Sequence, residues 1–289
     1  MADDFAKGRM KIKFAVGFAI VAAVLIMAAI LNRRMASSDR FAALAGGQPA
    51  SGERRPVLVE LFTSEGCSSC PPADELLMQL DQAQPIADAE VIALSEHVDY
   101  WNHLGWADPF SSAQFSERQS LYANVFRRDD VYTPQMVVDG SEEFVGSNVS
   151  RARENIEAAT RAPKARITLA VAPEAKAASN DVPLAVRIEN VPEITKGDEA
   201  EVVLAISESG LRSAVARGEN SGRRLSHTAV ARRLATIGSI NAEQSAFTMT
   251  AIAHLDGKWQ RNHLKAIVFV QERRSRRVLG AAAMPLVKE

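Results

Sequence analysis

The chain has 289 residues, 47% of them hydrophobic and 24% charged, with a formal net charge of -1. That length allows two domains of ordinary size, the composition excludes a largely disordered chain, and the balanced charge argues against a nucleic-acid partner. Two cysteines in such a length cannot form the dense framework of a small secreted scaffold, so whatever they do is local.

Lys7, Arg9, Lys11 and Lys13 precede "FAVGFAIVAAVLIMAAIL", Phe14 to Leu31, an uncharged run close to the ~20 residues that span a bilayer as a helix. The excess of basic residues before the run predicts a cytoplasmic N-terminus. "NRRM" directly behind it favours an uncleaved anchor, although "ALA" at Ala43 to Ala45 offers a late cleavage site. Residues 1–35 therefore read as a transmembrane helix or signal segment, and residues 36–55, rich in Ala, Ser, Gly and Arg, as a linker. The remainder is expected to face the periplasm from a bacterial inner membrane, or to be secreted if the segment is cleaved.

From Pro56 the pattern becomes that of an α/β domain, residues 56–163. Val57 to Thr63 is an apolar run sized for a buried strand, and Pro71 to Gln82 predicts a helix whose first turn tolerates Pro71 and Pro72. "EVIALS", Glu90 to Ser95, predicts a second strand. "SSAQFSERQSLYANVFRR" spaces Phe115, Leu121, Tyr122, Val125 and Phe126 as a helix, with Ser111 or Ser112 as its cap. "PQMVVDGSEEFVGS" reads as a hairpin turning at Asp139-Gly140, and Asn148 caps a last helix. Beyond Lys164, "ARITLAVAP", "VPLAVRIENVP", "AEVVLAISES", "AFTMTAIAHL" and "HLKAIVFVQE" alternate with period two. They predict an all-β, sandwich-like domain over residues 164–289. One insert interrupts it, "GENSGRRLSHTAVARRL", whose Glu219, Asn220, Arg223, Arg224 and His227 either fold over the cysteines or form a solvated loop.

The two cysteines sit in "ELFTSEGCSSCPPAD", between the first strand and the first helix. Unpaired amide hydrogens and the dipole at a helix N-terminus stabilise a thiolate, so Cys67 is the expected attacking thiol and Cys70, one turn further on, the resolving one. Glu65 opposes that effect. The long interval from Cys70 to Pro134 holds "HVDYWNHLGWADPFSS", whose His97, Asp99, Tyr100, Trp101, His103 and Trp106 follow the second strand. A parallel strand pair brings this loop to the same sheet edge as the cysteines. His97 there is a candidate proton carrier, with a satisfied loop histidine as the plainer alternative.

The C-x-x-C after the first strand, Thr133-Pro134 before "QMVVDG", and the terminal helix together resemble the thioredoxin superfamily over about residues 56 to 162. More narrowly, "ELFTSEGCSSCPPAD", "ALSEHVDYWNHLGWADPFSS", "YTPQMVVDG" and the later "GENSGRRLSHTAVARRL" are similar to DUF1223, a bacterial secreted family of unknown function. The resemblance implies a thioredoxin-like domain with redox-active Cys67 and Cys70. It also implies a cis-proline at Pro134, where Thr133 and Pro134 present backbone to an extended substrate; the position of the loop after the second strand makes Trp101 a candidate to roof that site, with Trp101 and Trp106 as packing residues the plainer alternative.

Rival chemistries remain for the C-x-x-C. Haem attachment needs C-x-x-C-H, and Pro71 stands in the histidine's place. A structural zinc site needs a second Cys or His pair at useful spacing, which the chain lacks. Copper binding or metallochaperone activity through Cys67, Cys70 and His97 is one alternative, since two thiolates and an imidazole suit copper. A non-catalytic binding module is the other. An inert staple is disfavoured because a loop of two intervening residues removes little unfolded-state entropy. The reading carried forward is an exported thiol-disulfide oxidoreductase that needs no cofactor and whose partners are thiols or disulfides of exported proteins.

Overall fold

The structure, a computed structural model, describes residues 54–172, 180–241, 244 and 246–286. Strands β1 (Arg55–Thr63) and β2 (Ala89–His97) pair in parallel register from Arg55↔Ala89 to Thr63↔His97. Helix α1 (Pro71–Ala83) makes the crossover between them and buries Leu76, Leu77 and Leu80. Helix α2 (Ala113–Val125) begins at Ser112, whose side chain accepts from the Gln114 amide. Strands β3 (Gln135–Val138) and β4 (Glu142–Val145) form the hairpin, and Asp139 and Gly140 both take positive φ at its turn. A side chain at Gly140 would lie 1.8 Å from the Arg276 carbonyl oxygen, so this corner admits only glycine. Asn148 caps α3 (Val149–Ala159) through the Arg151 amide.

The second half supplies β5 (Arg166–Val171), β6 (Asp181–Glu189), β7 (Ala200–Glu208), β8 (Leu211–Ala214) and β9 (Arg224–His227). It continues with β10 (Val230–Ile240), β11 (Ala246–His254), β12 (Leu264–Glu272) and β13 (Val278–Pro285). These strands do not fold apart from the first half. One mixed sheet of eight strands runs β13-β12-β7-β10-β2-β1-β3-β4, and β11-β6-β5 and β8-β9 form two small sheets. The joint is β10 against β2: Val230 pairs in parallel with Ser95, and the Ser95 amide donates to the Ala229 carbonyl at 2.8 Å.

This overturns the expected thioredoxin-like α/β domain followed by a separate β-sandwich. The protein is mostly sheet, with three α-helices among the described residues, and its central sheet is built from both halves. The expected transmembrane helix over Phe14 to Leu31 lies outside the described residues; among those described, no helix is long and apolar enough to cross a membrane.

The physical reason for a single sheet is that β7 and β12 are buried on both faces. Val202, Leu204 and Ile206 of β7 pack with Leu184, Val186 and Ile188 of β6 in one core. Val203 and Ala205, pointing the other way, pack with Leu58, Ile92, Leu94, Phe115 and Phe269 in a second core that contains both halves. A buried polar cluster of the first half is joined to the second by one side-chain bond, from Gln271. Arg118 donates to Glu60 at 2.7 Å, Tyr122 donates to Glu60 at 2.5 Å, and Gln271 donates to the Tyr122 hydroxyl at 2.8 Å. Burial raises the carboxyl of nearby Glu96 well above the usual range; the Arg118 charge opposes this and Glu60 adds to it.

Candidate functional site

Cys67 and Cys70 are joined as a disulfide with Cα atoms 5.5 Å apart, at the entry to α1. The strand-to-helix passage explains the place: the Cys67 amide donates to the Ser64 carbonyl just past β1, and the Ala73 and Asp74 amides return to the Cys70 carbonyl as the helix begins. The Ser69 hydroxyl lies 3.3 Å from Cys67 Sγ, and the Thr133 carbonyl oxygen lies 3.8 Å from it. The Thr133-Pro134 peptide is cis. The Trp101 indole donates to Thr133 Oγ1 at 2.8 Å, and a Cβ on Gly66 would stand 3.1 Å from the Trp101 Cβ, a tight approach. Cys67, Cys70, Thr133, Pro134 and Trp101 are therefore neighbours.

Both cysteines are 0% exposed. A strap of residues 215–223, between β8 and β9, covers them. It is folded on itself by Val215 to Arg223, Gly222 to Val215 and Ser221 to Gly218 backbone bonds. Asn220, 1% exposed, donates from Nδ2 to the carbonyls of both Glu65 and Cys67 at 2.9 Å, while its Oδ1 accepts from Arg223 at 2.8 Å. Glu219 accepts from the Ser68 amide at 2.9 Å, and hydrogen bonding from Ser68 holds its carboxyl below the usual range. On the strap's far side Gly218 approaches Trp106, and a Cβ there would stand 3.2 Å from the Trp106 Cβ. Of the two fates left open for this insert, covering the cysteines is the observed one.

Behind the disulfide lies a buried set of titratable groups. Glu65 accepts from Trp106 Nε1 at 2.8 Å and from His227 Nε2 at 2.9 Å. His97, at the end of β2, donates from Nδ1 to Asp108 Oδ2 at 2.7 Å, and that same oxygen accepts from the Glu65 amide at 2.8 Å. Burial alone would raise the Asp108 carboxyl, but the His97 charge and hydrogen bond, with the Glu65 and Phe110 amides, outweigh it and hold the group low. The His97 and His227 rings meet edge to face at 4.9 Å, each also against Phe110. His97 thus touches the cysteine loop through Asp108. Asp74, one turn after Cys70, accepts from Thr63 Oγ1 at 2.8 Å. Burial raises its carboxyl to about 7, against the lowering effects of the His227 charge and the Thr63 bond.

Asp108 and Asp74 escaped the sequence reading. Asp74 carried a signal, its four-residue spacing from Cys70 on a helix; Asp108 carried none, because its partners come from β2 and from the cysteine loop. Among the described residues no three His, Cys, Asp or Glu side chains are arranged to hold a metal ion.

No curated protein matches the chain. The crystal structure of protein AGR_C_4864 from Agrobacterium tumefaciens is similar to it, with 24% identity, 83% of this chain and 98% of that chain covered, and a TM-score of 0.63. A likeness at that identity concerns the fold alone. The family model described as "Protein of unknown function (DUF1223)" matches residues 58–271, well over half of the sequence, and the chain belongs to that family.

Proposed function

We propose that this protein carries out thiol-disulfide exchange through Cys67 and Cys70. The observation that carries the reading is the disulfide's setting: the only two cysteines of the chain close a loop too short to act as a staple, at a helix N-terminus, against a buried shell of titratable side chains. In the reduced protein the Cys67 thiolate attacks one sulfur of a substrate disulfide, forming a mixed disulfide and releasing the other substrate sulfur as a thiolate. Cys70, after losing its proton, then attacks Cys67, and the second substrate sulfur leaves with the electron pair. The substrate gains two electrons and two protons, and the protein returns to the disulfide form. Every step reverses when the substrate is a dithiol.

The Thr133 carbonyl beside Cys67 Sγ and the Trp101 indole on Thr133 Oγ1 support this edge as the side on which an extended substrate backbone docks. His97 contributes through Asp108, whose carboxylate it holds against the cysteine loop. A stable disulfide fits an oxidising compartment outside the cytoplasm, where thiols and disulfides of exported proteins are the partners.

The test is the reduction potential of the pair, measured by equilibration with glutathione. A value of about -120 to -270 mV, the span of known oxidoreductases, supports exchange, whereas one below about -300 mV marks an inert disulfide and refutes it. The Cys70→Ser protein, expressed in its own host, should accumulate mixed disulfides through Cys67, and their absence at native expression counts against the reading.

A further inference from the structure

At the ends of β1 and β2 opposite the cysteine loop, the fold leaves two adjoining clefts. Their origin is the joint between the halves. Among the described residues β10 pairs with β2 at Ser95 alone, so toward Glu90 the outer edge of β2 has no neighbouring strand. Gln84 covers part of that edge: its Nε2 donates to the Val91 carbonyl at 2.9 Å, and its Oε1 accepts from the Val91 amide at 2.8 Å. Beside it opens a cleft of about 450 Å³ with apolar walls, among them Ile92, Ile267, Met284 and Pro285. Lys265 and Asp81, which also line it, are already paired with each other at 3.1 Å.

The second cleft, of about 750 Å³, shares Arg54, Glu90, Ala283 and Met284 with the first and runs between β13 and β5. Both volumes fall within the ~300–1,000 Å³ of small-molecule sites. The second cleft has a different character. Arg54, Arg55, Lys164 and Arg166 line it against the single carboxylate of Glu90, in a chain whose formal net charge is -1. Lys164 is committed to Asp139. Arg55 makes one long bond, at 3.3 Å to the Ala162 carbonyl, and Arg166 has no described ion pair. Arg54 spends Nη2 on the carbonyls of Gln84 and Ile86, both at 2.7 Å, while its Nε is buried and has no described acceptor. A buried charged donor left unmade costs free energy that a bound acceptor would return.

We infer that the two clefts together bind an amphiphile: the cationic cleft takes an anionic head, carboxylate or phosphate, and the apolar cleft takes a single hydrocarbon chain. Guanidinium groups suit either head, because their forked N–H donors match a pair of anionic oxygens. Arg54 lines both clefts and so stands where head and chain join. A neutral or cationic head leaves Arg55 and Arg166 without a counter-charge, which is the source of selectivity. The site takes no part in the exchange chemistry and stands or falls separately from it.

The experiment uses the full-length protein in phosphatidylcholine bilayer discs and dodecanoic acid carrying a photoreactive diazirine near the end of its chain. After irradiation, peptide mapping should find the label on the apolar walls, at Ile267 or between Ala283 and Pro285. Excess dodecyl phosphate should displace it, and dodecyltrimethylammonium at the same concentration should not. Arg55→Glu combined with Arg166→Glu, two exposed positions, should cut labelling about tenfold or more through the lost charged contacts. Stronger displacement by lysophosphatidylglycerol placed in the discs than by dodecyl phosphate from solution supports the site with a membrane lipid as its ligand; the reverse order supports it with a soluble amphiphile. Label spread outside the clefts, equal displacement by the ammonium amphiphile, or undiminished labelling of the double variant overturns the inference.

Discussion

If the strap controls access to the disulfide, loosening it should change chemistry at the sulfurs before it changes the rest of the fold. The sharpest perturbation is Asn220→Ala. In the closed strap Asn220 Nδ2 donates to two carbonyls of the cysteine loop, those of Glu65 and Cys67, both at 2.9 Å. Each neutral hydrogen bond contributes about 1 kcal/mol net, so the substitution should lower the free energy of strap opening by about 2 kcal/mol. Because 1.36 kcal/mol is a factor of ten, the open population rises about 30-fold. A water-soluble phosphine reduces only the exposed disulfide, so under fast opening and closing its rate follows that population. Reduction of Asn220→Ala should therefore be about 30-fold faster than that of the wild type. Asn148→Ala is the control: it removes a helix cap in α3 and costs about 1 kcal/mol of stability away from the site. Its reduction rate should stay within twofold of the wild type. Equal rates for Asn220→Ala and the wild type would refute the strap as a gate, and equal acceleration by Asn148→Ala would show that reduction proceeds through global unfolding.

Two further outcomes follow from the same geometry. The Asp74 carboxyl is raised from 3.8 to about 7 in the folded state, so its contribution to stability is fully present below pH 3.8 and is lost as pH rises through about 7. The oxidised Asp74→Asn protein, compared with wild type by urea denaturation, should gain relative stability across that window, by up to about 4 kcal/mol at pH 8, and a pH-independent difference would refute the assignment. Tyr122→Phe removes the hydroxyl that joins Glu60, Arg118 and Gln271 across the seam between the halves, and should destabilise by about 2 kcal/mol or more. In that variant and the wild type, denaturation followed at Trp101 and Trp106 should coincide with that followed at Trp259; two separate transitions would contradict the shared sheet.

The local signals in the sequence were sufficient for local structure. Pro71 and Pro72 open α1, Ser112 and Asn148 cap α2 and α3, and Asp139-Gly140 turns the hairpin, because each feature depends on neighbours within a few residues. Strand pairing between distant segments was not legible in the same way. The change of pattern after Lys164 invited a separate sandwich, yet "AEVVLAISES" and "HLKAIVFVQE" contain runs apolar on both phases, "VVLAI" and "AIVFV", which mark strands buried on both faces rather than half-exposed ones. The site divides similarly. The C-x-x-C and the following helix are contiguous, whereas Asn220 and His227 reach Cys67 and Glu65 from more than 150 residues away. A polar insert announces itself by composition, but where it lands is decided by the pairing of the strands that flank it.

That pairing also explains why the strap belongs to the second half of the chain. The hairpin of β8 and β9 ends at His227, two residues before Ala229, whose carbonyl accepts from Ser95 of β2, and Val230 opens the joint between β10 and β2. Ala229 takes a positive φ at this point, which turns the chain out of β9 and into the central sheet. The strap, the His227–Glu65 bond and the β10–β2 joint are thus successive parts of one continuous segment, anchored at one end by the sheet and at the other by the cysteine loop. A shift of one residue at Val230 would invert the faces of β10 and draw His227 away from Glu65. The cover over the disulfide is consequently no independent loop laid on a finished domain. Its position is set by sheet register, and a partner or substrate that moves the strap must either break the hydrogen bonds of Asn220 and Glu219 locally or work against the joint that holds the two halves together.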